Sequence, residues 1–390
     1  MLGSASIRKK EFITASVAVA VTACLMIASG TRVNAEDLPR WFAQIYTSPF
    51  DHSTAPRTAL LRRHSGESLY SLVHGFRQAH TAREVDAARN SAFRQRSGSE
   101  IALPVPGARF GGIRFNELGW RGPSLPKVKP DNTVIIAFLG NSITLDKNTI
   151  PDGRSWPALA TQNLQKVFPA CRLVYQNIGI PGLSSRTLGT FYREQVLPKV
   201  QPDIAVVMTD DRKIRLRELA EVADAPTEGP SPLLFSRAQL LQRYALDLPA
   251  LLSTIQQNDA IPVLLSFGQH LARYTVYSQP GRMLGRTGAE RALYVSREGL
   301  EQSARWYNDE NLRTTAQLDI AYLQWHKALT GEQHYLDQRH FQPAGSALMA
   351  EVLTEQLAQS PAFLAALAEK HPCAASDEGH PAAQPSLLPF

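Results

Sequence analysis

The chain has 390 residues, 44% of them apolar and 19% charged, with a formal net charge of +6. That composition supports one large core with accessory pieces and excludes collagen-like, coiled-coil and multi-span membrane classes. The 41 Lys and Arg are scattered among 35 acids without a dense basic stripe, and the run Arg212-Lys213-Ile214-Arg215-Leu216-Arg217 reads as a solvated helix face, so no nucleic-acid partner is expected.

Residues 1–35 read as an export signal. Arg8-Lys9-Lys10 gives the positive start, residues 12–28 the apolar stretch, and Val33-Asn34-Ala35 a small-x-small cleavage site. Two other readings stand. Residues 12–29 are almost long enough to remain as a membrane tether. Val21-Thr22-Ala23-Cys24 loosely matches a lipoprotein box, although Leu25-Met26-Ile27 continues apolar past it. All three send the body of the protein out of the cytoplasm, to a periplasmic or secreted location. Only Cys171 and Cys373 follow the signal. An oxidising compartment permits a bridge, but Cys373 falls in a polar Pro/Ala stretch, which makes pairing the less favoured reading. Nothing suggests a Cys/His metal site.

Residues 36–112 form an N-terminal extension expected to be helical and polar, in which His74 and His80 have no partner at catalytic or ligand spacing. Residues 113–122 alternate and then turn on Gly119 and Gly122, which suggests a strand or hairpin. After a Pro/Lys linker at 127–132, strands and helices alternate through a domain spanning 113–370. Residues 133–139 are continuously apolar, as expected of a parallel strand buried on both faces. Ser155-Trp156-Pro157 opens a helix to about residue 167, with serine as cap and proline in the first turn. Strands follow at 172–176, 204–208, 261–267 and 320–323, and helices at 184–196, 216–222, 237–257, 300–316 and 343–357. A Pro/Gly loop occupies 225–232, and residues 268–294 look like an insertion or lid. Residues 371–390 read as a disordered tail. The fold class is therefore α/β, a doubly wound, mostly parallel five-stranded sheet, whose ligands bind beyond the carboxyl ends of the strands.

Chemistry-bearing residues recur at those ends. Gly140-Asn141-Ser142 follows the first strand of the sheet, Asn177 through Gly182 the second, Thr209-Asp210-Asp211 the third, and Asp337-Gln338-Arg339-His340 the last. An acid three residues before a histidine can hold the imidazole in one tautomer while its other nitrogen faces a serine. Read singly, Ser142 is a turn or cap serine, His340 a residue capping the helix at Pro343, and Gly182 a turn glycine. Asp210 and Asp211 read equally well as a solvated acidic loop, and Arg339 as a surface residue able to meet an anionic substrate.

The ordered set resembles the SGNH, or GDSL-like, hydrolase superfamily. The resemblance rests on Gly140-Asn141-Ser142, the Asn177–Gly182 block and the Asp337-x-x-His340 pair followed by Pro343-Ala344-Gly345. Trp156-Pro157-Ala158-Leu159 and Pro202-Asp203 fit the same pattern. The lead-in Asn116-Glu117-Leu118-Gly119-Trp120-Arg121-Gly122 looks like that of bacterial extracytoplasmic members, some linked to polysaccharide acylation. The likeness covers roughly residues 113–360 and implies a flavodoxin-like sheet and an acyl-serine mechanism without metal or cofactor. It makes Ser142 the nucleophile, His340 the general base and Asp337 its orienting acid. The backbone N–H groups of Ser142 and Gly182 become donors to the oxyanion.

One position departs from the family. Its third block carries an asparagine that donates to the oxyanion, and Asp210 stands in that slot. An ionised carboxylate donates nothing, and losing one such donor costs about 2.7–4 kcal/mol in the barrier. Three outcomes are open: a protonated Asp210, a substitute donor such as Thr209 or Asn148, or a slow or inactive site. Asn141, in place of the family's aspartate, is a milder change. His270, Tyr274, Arg282 and Arg286 could line a cleft but read better as loop residues. Trp41, Trp306 and Trp325 read as packing residues, and Glu310 and Glu351 show no glycosidase pairing. The leading expectation is an exported esterase or acyltransferase acting on an acylated carbohydrate, an envelope polymer or another small ester. The alternative is a binding or assembly protein that keeps the fold without turnover. A lipase would need an apolar acyl groove, which a sequence alone does not reveal.

Overall fold

The structure is a computed structural model, and it describes residues 92–95, 102–110, 113–146, 149, 152–211, 236–270, 297–335 and 339–375. The expected export signal, most of the N-terminal extension, Asn148, the 216–222 helix, Tyr274, Arg282, Arg286 and Asp337 lie outside the described residues.

Two short antiparallel pairs precede the main sheet: β1 (Phe93–Gln95) with β2 (Ala102–Pro104), and β3 (Arg109–Phe110) with β4 (Ile113–Arg114). Phe93 meets Phe110 and Phe115 edge-to-face, and with Ile113 and Leu145 they form a small apolar cluster. Strands thus occupy the described part of the extension that was expected to be helical up to residue 112. Phe93 and Phe110 each stand beside an arginine, and the arginine-rich context obscured the strands.

The main sheet comprises β5 (Thr133–Gly140), β6 (Arg172–Gly179), β7 (Ile204–Met208), β8 (Ile261–Leu265) and β9 (Ala321–Leu323). Its order is β6-β5-β7-β8-β9 and every pairing is parallel, the flavodoxin-like order with the first strand between the second and third. The helices are α1 (Ser142–Leu145), α2 (Trp156–Val167), α3 (Ser185–Phe191), α4 (Tyr244–Gln257), α5 (Arg297–Leu318), α6 (Pro343–Ala358) and α7 (Pro361–Lys370), with further short turns between them.

All eight residues of β5 are buried, because its side chains alternate between two cores. Ile135, Ala137 and Leu139 join residues of α3 and α4, among them Leu188, Phe191, Leu248 and Leu252. Val134, Ile136 and Phe138 face α2, α6 and α7 through Trp156, Leu164, Leu353 and Phe363. Burying both faces requires helices on both sides, and that makes the sheet doubly wound.

Two details differ from the sequence reading. Ser155 sits at the N-cap of α2, yet its hydroxyl donates to the Asp152 carbonyl. The N–H of Trp156 goes instead to the buried Asp146 carboxylate at 2.9 Å. A long-range acceptor has displaced the local one. The chain also stays ordered into the expected tail. A turn at Pro372–Ala374 packs beside α7, and Cys373 is bonded to Cys171, 202 residues away. The pairing brings the end of the fold to the start of β6. Closing a loop of that length removes chain entropy worth at most about 5 kcal/mol. Alkylating reagent should therefore modify neither cysteine until the folded protein is reduced, and Cys373→Ser should lower the melting temperature by roughly 10 °C. Ready alkylation without reduction would contradict the bridge.

Candidate active site

Three loops leave the sheet at one level. Gly140 pairs with Gly179 on one side and Met208 on the other. Ser142 and Asp210 thus lie two residues beyond a shared register point, and Gly182 lies three residues beyond. The parallel sheet fixes their proximity before any side chain is considered.

Ser142 opens α1, and Asn141 caps that helix, its side-chain oxygen accepting the Ile143 N–H at 2.9 Å. As first helical residue, Ser142 has a backbone N–H with no partner inside the helix. A Cβ on Gly179 would stand only 2.0 Å from the Leu145 nitrogen, so α1 rests directly on the β6 backbone. That contact is why the second block needs glycine there.

The fully buried Arg121 holds the other end of α1. Its Nη1 donates to the carbonyls of Leu145 and Asp146 at 2.8 Å each, its Nη2 to Thr149, and its Nε to Asp152 at 2.9 Å. Asp146 closes the same turn. It adopts φ 50 and accepts from Trp156, Thr149 and Ser346. Burial raises the Asp146 pKa from its usual value, against the pull of Arg121 and these donors. The lead-in segment delivers Arg121. Asn116 folds it back, its side-chain oxygen accepting from Leu118 and Trp120, and Arg121 pairs antiparallel with Asn177. The resemblance drew attention to this segment, but the role of Arg121 had no local signal.

The Gly182 loop is a tight turn in which Leu183 N–H donates to Ile180 C=O at 3.1 Å, with Pro181 and Gly182 at its centre. Gly182 has φ +87, the left-handed conformation that type II turns reserve for glycine. A Cβ there would meet nothing within 4 Å, so conformation rather than crowding selects the residue.

His340 reaches the site from the opposite end of the chain. Its Nε2 lies 2.9 Å from Ser142 Oγ, across 198 residues of sequence. With the ring proton on Nδ1, Nε2 accepts from the serine hydroxyl. The loop that carries it is clipped at its base by the bridge between Tyr335 and Phe341 and by Gln342 N–H to His334 C=O. His270, expected in a solvated loop, stacks on Tyr335 at 5.5 Å, and Trp325 packs on Phe341 as a core residue. Trp306 is partly buried against the α3/α4 core.

The two acids after β7 are not a solvated loop, for both are buried. Asp210 accepts from Arg339 Nη1 at 2.9 Å, and its side chain is 1% exposed. Asp211 accepts from the N–H and hydroxyl of Ser185, which begins α3 just after the Gly182 turn. Thr209 bonds Tyr244 Oη at 2.8 Å, and Tyr244 in turn donates to Asn311. Arg339, expected at the surface, is an ion-pair partner of the site.

Burial pushes the Asp211 carboxyl from 3.8 up to about 7, with Asp210 and Asp247 adding to it and the Ser185 donors opposing. The folded protein therefore keeps this proton to about pH 7, whereas the unfolded chain releases it near 3.8. Stability from the proton is complete at low pH and is lost as pH rises through the folded value. Asp211→Asn should out-melt wild type by a margin that grows from about pH 4 to about pH 7 and then levels off. A margin independent of pH would contradict the assignment.

No protein-family model matches the chain, and no curated protein matches it. Solved structures are similar at low identity. A catalytic mutant of Axe2, an acetylxylan esterase from Geobacillus stearothermophilus, is 16% identical, covers 57% of this chain and 93% of its own, and gives a TM-score of 0.39. The psychrotrophic esterase EstA from a Pseudoalteromonas species is 13% identical over 59% of this chain and 98% of its own, with a TM-score of 0.38. A protein described as a GDSL-like lipase from Parabacteroides merdae is 16% identical over 59% and 98%, with a TM-score of 0.40.

Proposed function

We propose that the chain is an exported serine esterase or acyltransferase of the SGNH type, acting through an acyl-serine on a small ester carried by a carbohydrate or envelope polymer. The observation that carries this reading is the 2.9 Å contact between Ser142 Oγ and His340 Nε2, made across a doubly wound sheet. In the proposed reaction His340 takes the Ser142 proton as Oγ attacks the ester carbonyl. The oxyanion is met by the N–H groups of Ser142 and Gly182. His340 then protonates the departing alcohol, leaving an acyl-serine. Water, or an acceptor hydroxyl in a transferase, attacks that intermediate with His340 again as base. Asp337 is assigned to orient His340 from its spacing in the sequence. No metal or cofactor enters any step.

A short acyl group such as acetyl is the proposed cargo, in keeping with the lead-in segment at 116–122, which resembles that of members linked to polysaccharide acylation. The proposed location outside the cytoplasm is supported by the export-type N-terminus and by the Cys171–Cys373 bridge, a bond that persists in oxidising compartments. A second reading, a binding protein without turnover, draws on Asp210 in the amide position.

A fluorophosphonate probe should label wild-type protein at Ser142, and p-nitrophenyl acetate should be turned over. Ser142→Ala and His340→Ala should each lower kcat on the order of 10⁴- to 10⁶-fold with unchanged melting temperatures. Absent labelling and turnover in a folded wild-type protein would leave the binding reading.

A further inference from the structure

Resting on that serine-hydrolase reading, we infer that the Arg339 guanidinium, anchored by Asp210, supplies the third oxyanion donor in place of an amide side chain. Asp210 alone is the wrong group for the position. Its carboxylate accepts hydrogen bonds and would repel the negative charge that develops on the substrate oxygen. Yet it does not stand alone, since Arg339 Nη1 donates to its Oδ2 at 2.9 Å. The pair is asymmetric in exposure, with the Asp210 side chain 1% and the Arg339 side chain 21% accessible. The acid is therefore the buried anchor and the guanidinium the reachable group.

The geometry of the chain places that group at the chemistry. Arg339 immediately precedes His340, whose Nε2 touches Ser142 Oγ. Asp210 sits level with Ser142 beyond the Gly140–Met208 register pair. The guanidinium is thus tied to the site from both sides, by the loop that carries the base and by the strand end beside the nucleophile. A guanidinium presents five N–H donors in a rigid plane and keeps its positive charge across the working pH range. Held by Asp210, it offers the oxyanion a fixed, charge-assisted donor and cancels the repulsion of the carboxylate. Arg339 is the catalytic residue of the pair and Asp210 its positioning residue.

The consequence is opposite in sign to that of a merely degraded hole. If Asp210 only spoiled the site, replacing it with asparagine would raise activity. If it anchors Arg339, the same change loosens the donor. The test uses full-length protein and p-nitrophenyl acetate, with thermal melts to confirm folding. Arg339→Met should lower kcat about 10²- to 10³-fold with little change in KM, and Arg339→Lys should recover part of the loss. Asp210→Asn alone should reduce kcat, whereas Asp210→Asn combined with Arg339→Met, which leaves a neutral amide donor, should be faster than Arg339→Met alone. Inhibition by phenylboronic acid, whose serine adduct is tetrahedral and anionic, should weaken in step with kcat/KM across the series. A purely structural pair would not produce that correlation. Wild-type kcat in Arg339→Met, or a rise in Asp210→Asn, with Ser142 still labelled by fluorophosphonate, overturns the role of Arg339 and leaves the hydrolase reading standing. Failure of the wild-type protein to be labelled or to turn over overturns both.

Discussion

A single buried guanidinium sets the position of the candidate nucleophile. Four residues of helix cannot hold themselves in water, because nucleating a helical turn costs more than its few hydrogen bonds return. The helix that begins at Ser142 is nevertheless fixed, because Arg121 takes the carbonyls at its end and ties them to Asp152. An arginine with no exposed surface is tolerated only when its donors are satisfied, and here three carbonyls and a carboxylate satisfy them. The Gly179 contact presses the same helix against the sheet. Loosening this clamp would carry Ser142 away from His340, whose own loop is clipped independently by Tyr335 and Phe341.

The electrostatics of the strand ends divide two adjacent acids between two tasks. Asp210 faces Arg339, and Asp211 faces the first residue of α3. The first pairing brings a cation to the edge where negative charge would develop. The second ties the helix behind the Gly182 turn to β7. Neither acid faces open solvent: Arg339, from a sequence-distant loop, partners Asp210, and Ser185, at the start of α3, partners Asp211. Asp210, in the slot that the resemblance gives to an asparagine, is thus paired with Arg339.

Much of the architecture was legible in the sequence because parallel strands buried on both faces leave continuous apolar runs. The segments at 133–139, 204–208 and 261–267 announced themselves that way, and the spacing of helices between them implied the doubly wound sheet. The convergence of Ser142 and His340 was legible for the same reason, since strand ends of one parallel sheet share an edge. What stayed hidden depended on contacts without a local pattern. Arg121 looks like any loop arginine, and only its three carbonyl acceptors give it meaning. Ser155 looked like the cap of α2 because local spacing cannot reveal that Asp146 reaches the Trp156 amide first. Cys373 looked loose because the Pro/Ala stretch around it gives no sign that α7 carries it back to Cys171. Arg339 looked superficial because the acid that claims it lies 129 residues away.

The central claim is that the Ser142 hydroxyl, deprotonated by His340, takes the acyl group covalently. Its most direct test is an acid-quenched, pre-steady-state reaction with p-nitrophenyl acetate, followed by peptide mapping of the protein. The account predicts a burst of nitrophenolate matched by an acetyl group on Ser142, absent from the His340→Ala protein. Turnover with Ser142 unmodified at every quench time and no burst, or acetyl found at another residue, would contradict it.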